Sequence, residues 1–179
     1  YFIIFPTSSM PVKRWDIIKF AKLTELIFAE LKIPLVLCGT NHDKMIATEF
    51  KRLLKNVETI DIIGHTTTME FIEVIRNADL VITNDTSSYH IAIATSTSVG
   101  MICGGYTFSR YANYTYEKQG FSDPYLIQYT MPCYDCNNNC IYNNYETYPC
   151  IDLITLENAW EIVKLMLEQI KPGCRQNEY

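Results

Sequence analysis

The stretch ADLVITNDTSSYHIAIA, Ala78 to Ala94, decides the fold. An apolar run, Leu80-Val81-Ile82, breaks off into Asn84-Asp85-Thr86-Ser87-Ser88-Tyr89-His90, and a second apolar run then begins at a different period. The first reads as a strand, Leu80 to Thr83, and the second as a helix, Ser88 to Ala94. The polar cluster is the turn between them.

Outward from this unit the same alternation recurs. Tyr1 to Phe5 is a short apolar run stopped by Pro6, and Trp15 to Leu31 carries apolar residues at helical spacing. Leu35 to Cys38 precedes Gly39 and a helical stretch from Asp43 to Leu54, and Ile60 to Ile63 precedes Gly64. Thr67 and Glu70 form a capping-box pattern that opens a helix running to Asn77. Val99 to Cys103 makes a fifth strand before Gly104-Gly105. The rhythm then fails: residues 104–150 form an irregular insertion rich in Tyr, Asn and Cys, and residues 155–170 close the chain as an amphipathic helix. Continuous apolar strands between helices predict a parallel sheet covered on both faces, an α/β, Rossmann-like, doubly wound domain over residues 1–179.

Composition fits that fold. The 179 residues are 48% hydrophobic and 20% charged, enough for one full core. A net charge of −5 argues against nucleic-acid partners, which need many Lys and Arg contacts to phosphate. No apolar run reaches the roughly 18 residues of a membrane span, and no secretory signal pattern is present, so a soluble, intracellular protein is expected. The chain opens on Tyr1 and directly on a strand-like run, as a piece of a longer protein would.

In open parallel sheets ligands bind beyond the carboxyl ends of the strands, where helix N-termini offer free N–H groups. Four polar loops converge on that rim: residues 6–13, 39–43, 64–67 and 85–90.

These residues carry a resemblance. Asn84 to His90, preceded by Arg76-Asn77-Ala78-Asp79-Leu80 and Gly64-His65-Thr66, resembles the Asp-Ser/Thr-Gly-x-x-His signature of glycosyltransferase family 9, the ADP-heptose:lipopolysaccharide heptosyltransferases. Pro6-Thr7-Ser8-Ser9 with Lys13-Arg14-Trp15 is similar to that family's polar loop and Lys-x-Trp motif, and Gly104 to Tyr111 with the clustered cysteines looks like a subgroup of it. The resemblance implies the C-terminal, donor-binding half of a two-domain GT-B fold that transfers a sugar from a nucleoside diphosphate, ADP-heptose or similar, by inversion and without a required metal cofactor. It places the acceptor's general base, an Asp, in an N-terminal domain that this sequence lacks, so the chain alone should bind donor without turnover. It also implies work in lipopolysaccharide or surface-polysaccharide assembly at the cytoplasmic face, with peripheral membrane association through the whole protein.

By resemblance, Lys13 stabilises the leaving diphosphate, and the alternative is a solvated loop charge. Ser8 and Ser9 either bond phosphate oxygens or are turn residues. Asp85 accepts hydrogen bonds from the donor sugar, or only N-caps the helix, or both. Thr86 offers a hydroxyl and an N–H at the same helix start. His90 bonds phosphate, fixes Asp85, or is a partly buried helix residue. Ser87 departs from the family's Gly and, if close backbone approach or positive φ is needed there, narrows the pocket or shifts the loop. Thr66 matches the residue lining the base pocket or is a cap. Asp43, with His42 one place away, binds ribose hydroxyls or meets the helix dipole. Arg110, with Tyr111 and Tyr114, lines the donor mouth or packs on the partner domain.

Cys133-x2-Cys136-x3-Cys140-x9-Cys150 gathers thiols at metal-ligand spacing, though not that of a standard zinc ribbon. A structural zinc, free thiols and disulfides are the readings, disulfides being disfavoured inside cells. Cys38 and Cys103 read as small core residues, and Cys174 lies in the C-terminal tail. A non-catalytic nucleotide or sugar-phosphate binding module would use the same rim. A hydrolase triad of Ser87, His90 and Asp85 is crowded onto one helix start, and a cysteine-based metal or redox protein would make thiol chemistry the main activity.

Overall fold

A computed structural model describes residues 1–112, 114, 124–142 and 146–170. Strands β1 (Phe2–Phe5), β2 (Leu35–Leu37), β3 (Thr59–Asp61), β4 (Leu80–Asn84), β5 (Val99–Cys103) and β6 (Tyr125–Gln128) form one sheet in the order β3-β2-β1-β4-β5-β6. Every neighbouring pair is parallel, and β1 meets β4 in the register Phe5 to Thr83. The chain therefore builds outward from β1 in one direction, returns to its other side, and builds outward again.

Alternation along each strand feeds two cores. Phe2, Ile4, Leu35, Leu37, Leu80 and Ile82 pack on one face with Phe20, Leu23 and Ile27 of α1 (Ile17–Leu31) and Phe50 of α2 (Lys44–Leu53). Ile3, Phe5, Val36, Val81, Val99 and Met101 pack on the other with Ile75 of α3 (Thr68–Arg76) and Tyr89, Ala92 and Ile93 of α4 (Ser87–Ala94). Both faces of a parallel sheet must be covered this way because its strands have no polar side to show to water.

The helix ends follow local chemistry. The Asp16 carboxylate accepts from the N–H groups of Ile18 and Lys19, each at 2.8 Å, and starts α1. Thr67 and Glu70 close the capping box read from the sequence, the Thr67 N–H donating to Glu70 Oε2 at 2.7 Å and the Glu70 N–H to Thr67 Oγ1 at 3.3 Å.

The irregular insertion is more ordered than its composition suggests. It contributes β6, a π-helical turn at Phe108–Ala112 and the short helix α5 (Pro149–Asp152), before α6 (Leu156–Gln169) lies across β5 and β6. Four residues, Tyr125 to Gln128, are too few to show a period, and pairing to β5 alone makes them a strand. No helix among the described residues is long and apolar enough to cross a membrane.

Thr67→Ala removes the α3 cap and should cost about 1 kcal/mol, lowering the melting temperature by about 2–4 °C. An unchanged melting curve by circular dichroism would show that the cap contributes nothing.

Candidate functional site

The sheet order reverses between β1 and β4, and the carboxyl ends of these two strands meet at the site. Asn84, fully buried at the end of β4, accepts from the Trp15 N–H at 3.1 Å and donates to the Thr7 carbonyl at 3.3 Å. One side chain thus fixes the loop after β1 to β4. Trp15 is buried and donates its ring N–H to the Ile154 carbonyl at 2.9 Å, while a 3-10 turn at Pro11–Lys13 aims the next cation. Lys13 Nζ reaches Asp85 Oδ2 at 3.0 Å, with both side chains 14% exposed. The Lys13 ammonium also stands over the Tyr106 ring, 4.3 Å from its centroid.

Asp85 does not cap α4. The N-cap is Thr86, which makes no side-chain cap bond, so the Asp85 carboxylate is committed to Lys13 instead. Behind them lies a hydroxyl cluster that sequence reasoning missed: Ser88 Oγ lies 2.7 Å from Thr83 Oγ1 and 2.6 Å from Thr86 Oγ1. Thr83 sits on β4 and Ser88 in the first turn of α4, so the strand period hides the first and the helix period the second. Ser87 is exposed at the first position of α4 with a helical backbone, so no positive φ is needed where the family carries Gly.

The other predicted residues divide. Ser8 is buried, its hydroxyl accepting from the Met10 N–H at 3.3 Å and its carbonyl from Arg14 Nε at 2.8 Å, which makes it part of the Lys13 loop's own wiring. Ser9 is exposed on the same loop. Asp43 spends its carboxylate on the Thr40 N–H and hydroxyl, at 2.8 and 2.7 Å, as a local cap. Thr66 is half-buried ahead of α3. His90 does not reach Asp85; its Nδ1 lies 2.8 Å from the Tyr114 hydroxyl. Ser87, His90 and Asp85 therefore assemble no triad, since His90 and Asp85 face different partners. Arg110 is exposed and donates to Asn137 Oδ1 at 2.7 Å, tying the turn after β5 to the cysteine loop.

Cys133, Cys136, Cys140 and Cys150 line one cavity of ≈ 10 Å³ together with Tyr106, Tyr134 and Tyr148. Asp135, Asn137 and Asn138 take positive φ (62°, 51° and 62°) to bend the loop around it, as short polar side chains permit. Gly105 is required beneath: a Cβ there would come within 2.2 Å of Tyr134. The thiols share a cavity but form no closed set; among the described residues no group of three or more His, Cys, Asp or Glu is placed to hold a metal ion. The expected tetrahedron is therefore not assembled, because the four thiols share a lining without forming a ligand set. All four are free thiols, not disulfides. Cys38 and Cys103 are buried core residues as expected, and burial pushes each up to about 12. Cys174 lies outside the described residues.

With this geometry in place, comparison with known proteins identifies the class. The chain belongs to glycosyltransferase family 9 (heptosyltransferase), whose sequence model matches residues 1–125. Among solved structures, the family 9 glycosyl transferase of Veillonella parvula matches with a TM-score of 0.76 at 19% identity, over 94% of this chain and 46% of its own. ADP-heptose lipopolysaccharide heptosyltransferase II of E. coli matches with a TM-score of 0.70 at 18% identity, over 94% and 46%. The iron-containing dodecameric heptosyltransferase TibC, in complex with ADP-D-β-D-heptose, matches with a TM-score of 0.67 at 16% identity, over 96% and 46%. TibC comes from enterotoxigenic E. coli H10407. No curated protein matches the chain. The chain spans less than half the length of these solved structures and corresponds to one Rossmann-like half of their GT-B fold.

Cys38 and Cys103 should resist iodoacetamide at neutral pH while the half-buried Cys133 and Cys140 react and Cys136, whose thiol burial also pushes up, reacts more slowly, since the thiolate is the nucleophile and burial suppresses it. Peptide mass spectrometry of the metal-free protein checks this, and equal labelling of all five would contradict the burial.

Proposed function

We propose that this chain is the donor-binding half of an inverting glycosyltransferase that takes a nucleoside-diphosphate sugar of the ADP-heptose type. The observation that carries the reading is the Lys13–Asp85 pair, set where the sheet order reverses and beside the first turn of α4. A diphosphate there meets one ammonium and the free N–H groups of a helix start, and the sugar meets a carboxylate. As the acceptor oxygen bonds to the anomeric carbon, the bond to the diphosphate oxygen breaks and the diphosphate departs with the electron pair. Lys13 offsets the charge that grows on it, a group whose effect rises toward the transition state. The Asp85 carboxylate accepts from sugar hydroxyls and fixes the ring. The acceptor's proton goes to a base on a second domain, so turnover needs the longer protein. Family membership and the ADP-heptose bound by TibC support this donor class. The same membership supports a cytoplasmic role in lipopolysaccharide or surface-polysaccharide assembly.

The thiol cavity supports a structural metal as a second reading. Four cysteines border one small space, and TibC is an iron-containing relative. Small rotations would have to draw the thiols inward around the ion. Elemental analysis of freshly purified protein should find close to one iron or zinc per chain, and its absence would remove the metal.

The donor reading predicts a selective thermal shift in a panel of ADP, UDP, GDP, CMP and ADP-heptose. At a hundredfold excess over the dissociation constant the stabilisation is about 2.7 kcal/mol, or about 5–10 °C for a domain of this size. Lys13→Ala and Asp85→Ala should abolish the shift, each compared with its own ligand-free melting temperature because either change leaves a largely buried charge unpaired. Full shifts in both variants would contradict the assignment.

A further inference from the structure

Binding at this site has a cost that the Lys13–Asp85 pair itself creates. In the ligand-free protein the two charges satisfy each other at 3.0 Å. When Lys13 turns to a diphosphate, the Asp85 carboxylate, itself mostly buried, loses its partner. A largely buried carboxylate without a donor is costly, so something must replace the ammonium.

Tyr106 is placed to do so. It is 2% exposed, its ring lies under the Lys13 ammonium at 4.3 Å, and its hydroxyl is buried beside the Asp85 carboxylate without a hydrogen bond of full geometry to any described residue. Native structures rarely leave a buried hydroxyl unpaired, and the exceptions call for a reason. The position is also built with care: Gly104 leaves room for the ring, since a Cβ there would come within 2.2 Å of Tyr106 Cε1. Tyr148 packs on the ring with centroids 5.3 Å apart, and its backbone N–H bonds the Val12 carbonyl beside Lys13 at 2.9 Å. Burial pushes the phenol pKa upward, and the Asp85 carboxylate adds to the push through its charge and through the hydroxyl's approach to it, so the hydroxyl keeps its proton and stays a donor.

Resting on the donor-site reading above, we propose that Tyr106 is a positioning residue: its ring holds the Lys13 ammonium in the empty site, and its hydroxyl takes over the Asp85 carboxylate when Lys13 moves to the diphosphate. The hydroxyl that only approaches Asp85 in the empty state then makes the full bond in the bound state. Asp85 stays hydrogen-bonded and fixed, ready for the sugar, throughout the exchange.

Tyr106→Phe separates this role from simple packing, because it keeps the ring and removes only the hydroxyl. In the full-length protein the variant should melt at the same temperature as the unmutated protein or higher, because an unpaired buried hydroxyl is lost. Calorimetric titration with the nucleoside diphosphate that the unmutated protein binds should show affinity reduced roughly tenfold, the scale of a hydrogen bond to a charged group. Unchanged affinity would overturn the proposal, as would a loss of affinity accompanied by a lower melting temperature, which marks a scaffold defect. Lys13→Ala, titrated in parallel, tells the two failures apart. If Lys13→Ala loses binding and Tyr106→Phe does not, the hand-over alone is wrong; if neither loses it, the donor site itself has been misplaced.

Discussion

The Lys13–Asp85 ion pair at the point where the sheet order reverses is the contact on which the rest of the site depends. Two opposite charges with little access to water lie 3.0 Å apart, on loops contributed by strands that are neighbours in space and far apart in sequence. Such a pair adds little to stability, because the desolvation of both groups offsets their attraction. Its value lies in position: it keeps a cation and a carboxylate side by side, in a mostly dry setting, at the amino end of α4. Everything around it holds that arrangement. Asn84 binds the loop after β1 to β4, Trp15 anchors the same loop to the Ile154 carbonyl, and the Tyr106 ring carries the ammonium.

The cysteine loop belongs to the same assembly. The Tyr148 N–H bonds the Val12 carbonyl, the Asp135 N–H bonds the Gly105 carbonyl, and Arg110 bonds Asn137. The loop that borders the thiol cavity therefore also supports the turn that aims Lys13. A metal or another cross-link in that cavity would stiffen the wall on which Tyr106 rests, connecting an otherwise separate cluster to the Lys13–Asp85 pair through packing.

Much of this was legible in the chain and some was not, for physical reasons. The parallel sheet announced itself because strands buried on both faces read as unbroken apolar runs, and the α3 start because Thr67 and Glu70 stand at capping-box spacing. The Lys13–Asp85 region was legible because polar loops at strand ends converge by topology. Their direct pairing was not, since 72 residues separate them and no local pattern encodes it. Asp85 also broke the usual rule for an acidic residue at a helix start: a cation from the turn after β1 outcompeted the helix N–H groups. Thr83, Asn84 and Ser88 went unread because their roles are to bond one another or the backbone across the β4–α4 turn. His90 pairs with Tyr114, a partner 24 residues away in a segment with no period of its own. β6 was missed because four residues take their strand conformation from β5 rather than from their own sequence.

The measurement that tests the central claim most directly is a crystal structure of the full-length protein with ADP bound. The account predicts the diphosphate at the amino end of α4, with Lys13 Nζ turned away from Asp85 and within hydrogen-bond distance of a phosphate oxygen. ADP bound elsewhere, or bound with the Lys13–Asp85 pair still closed, would contradict it.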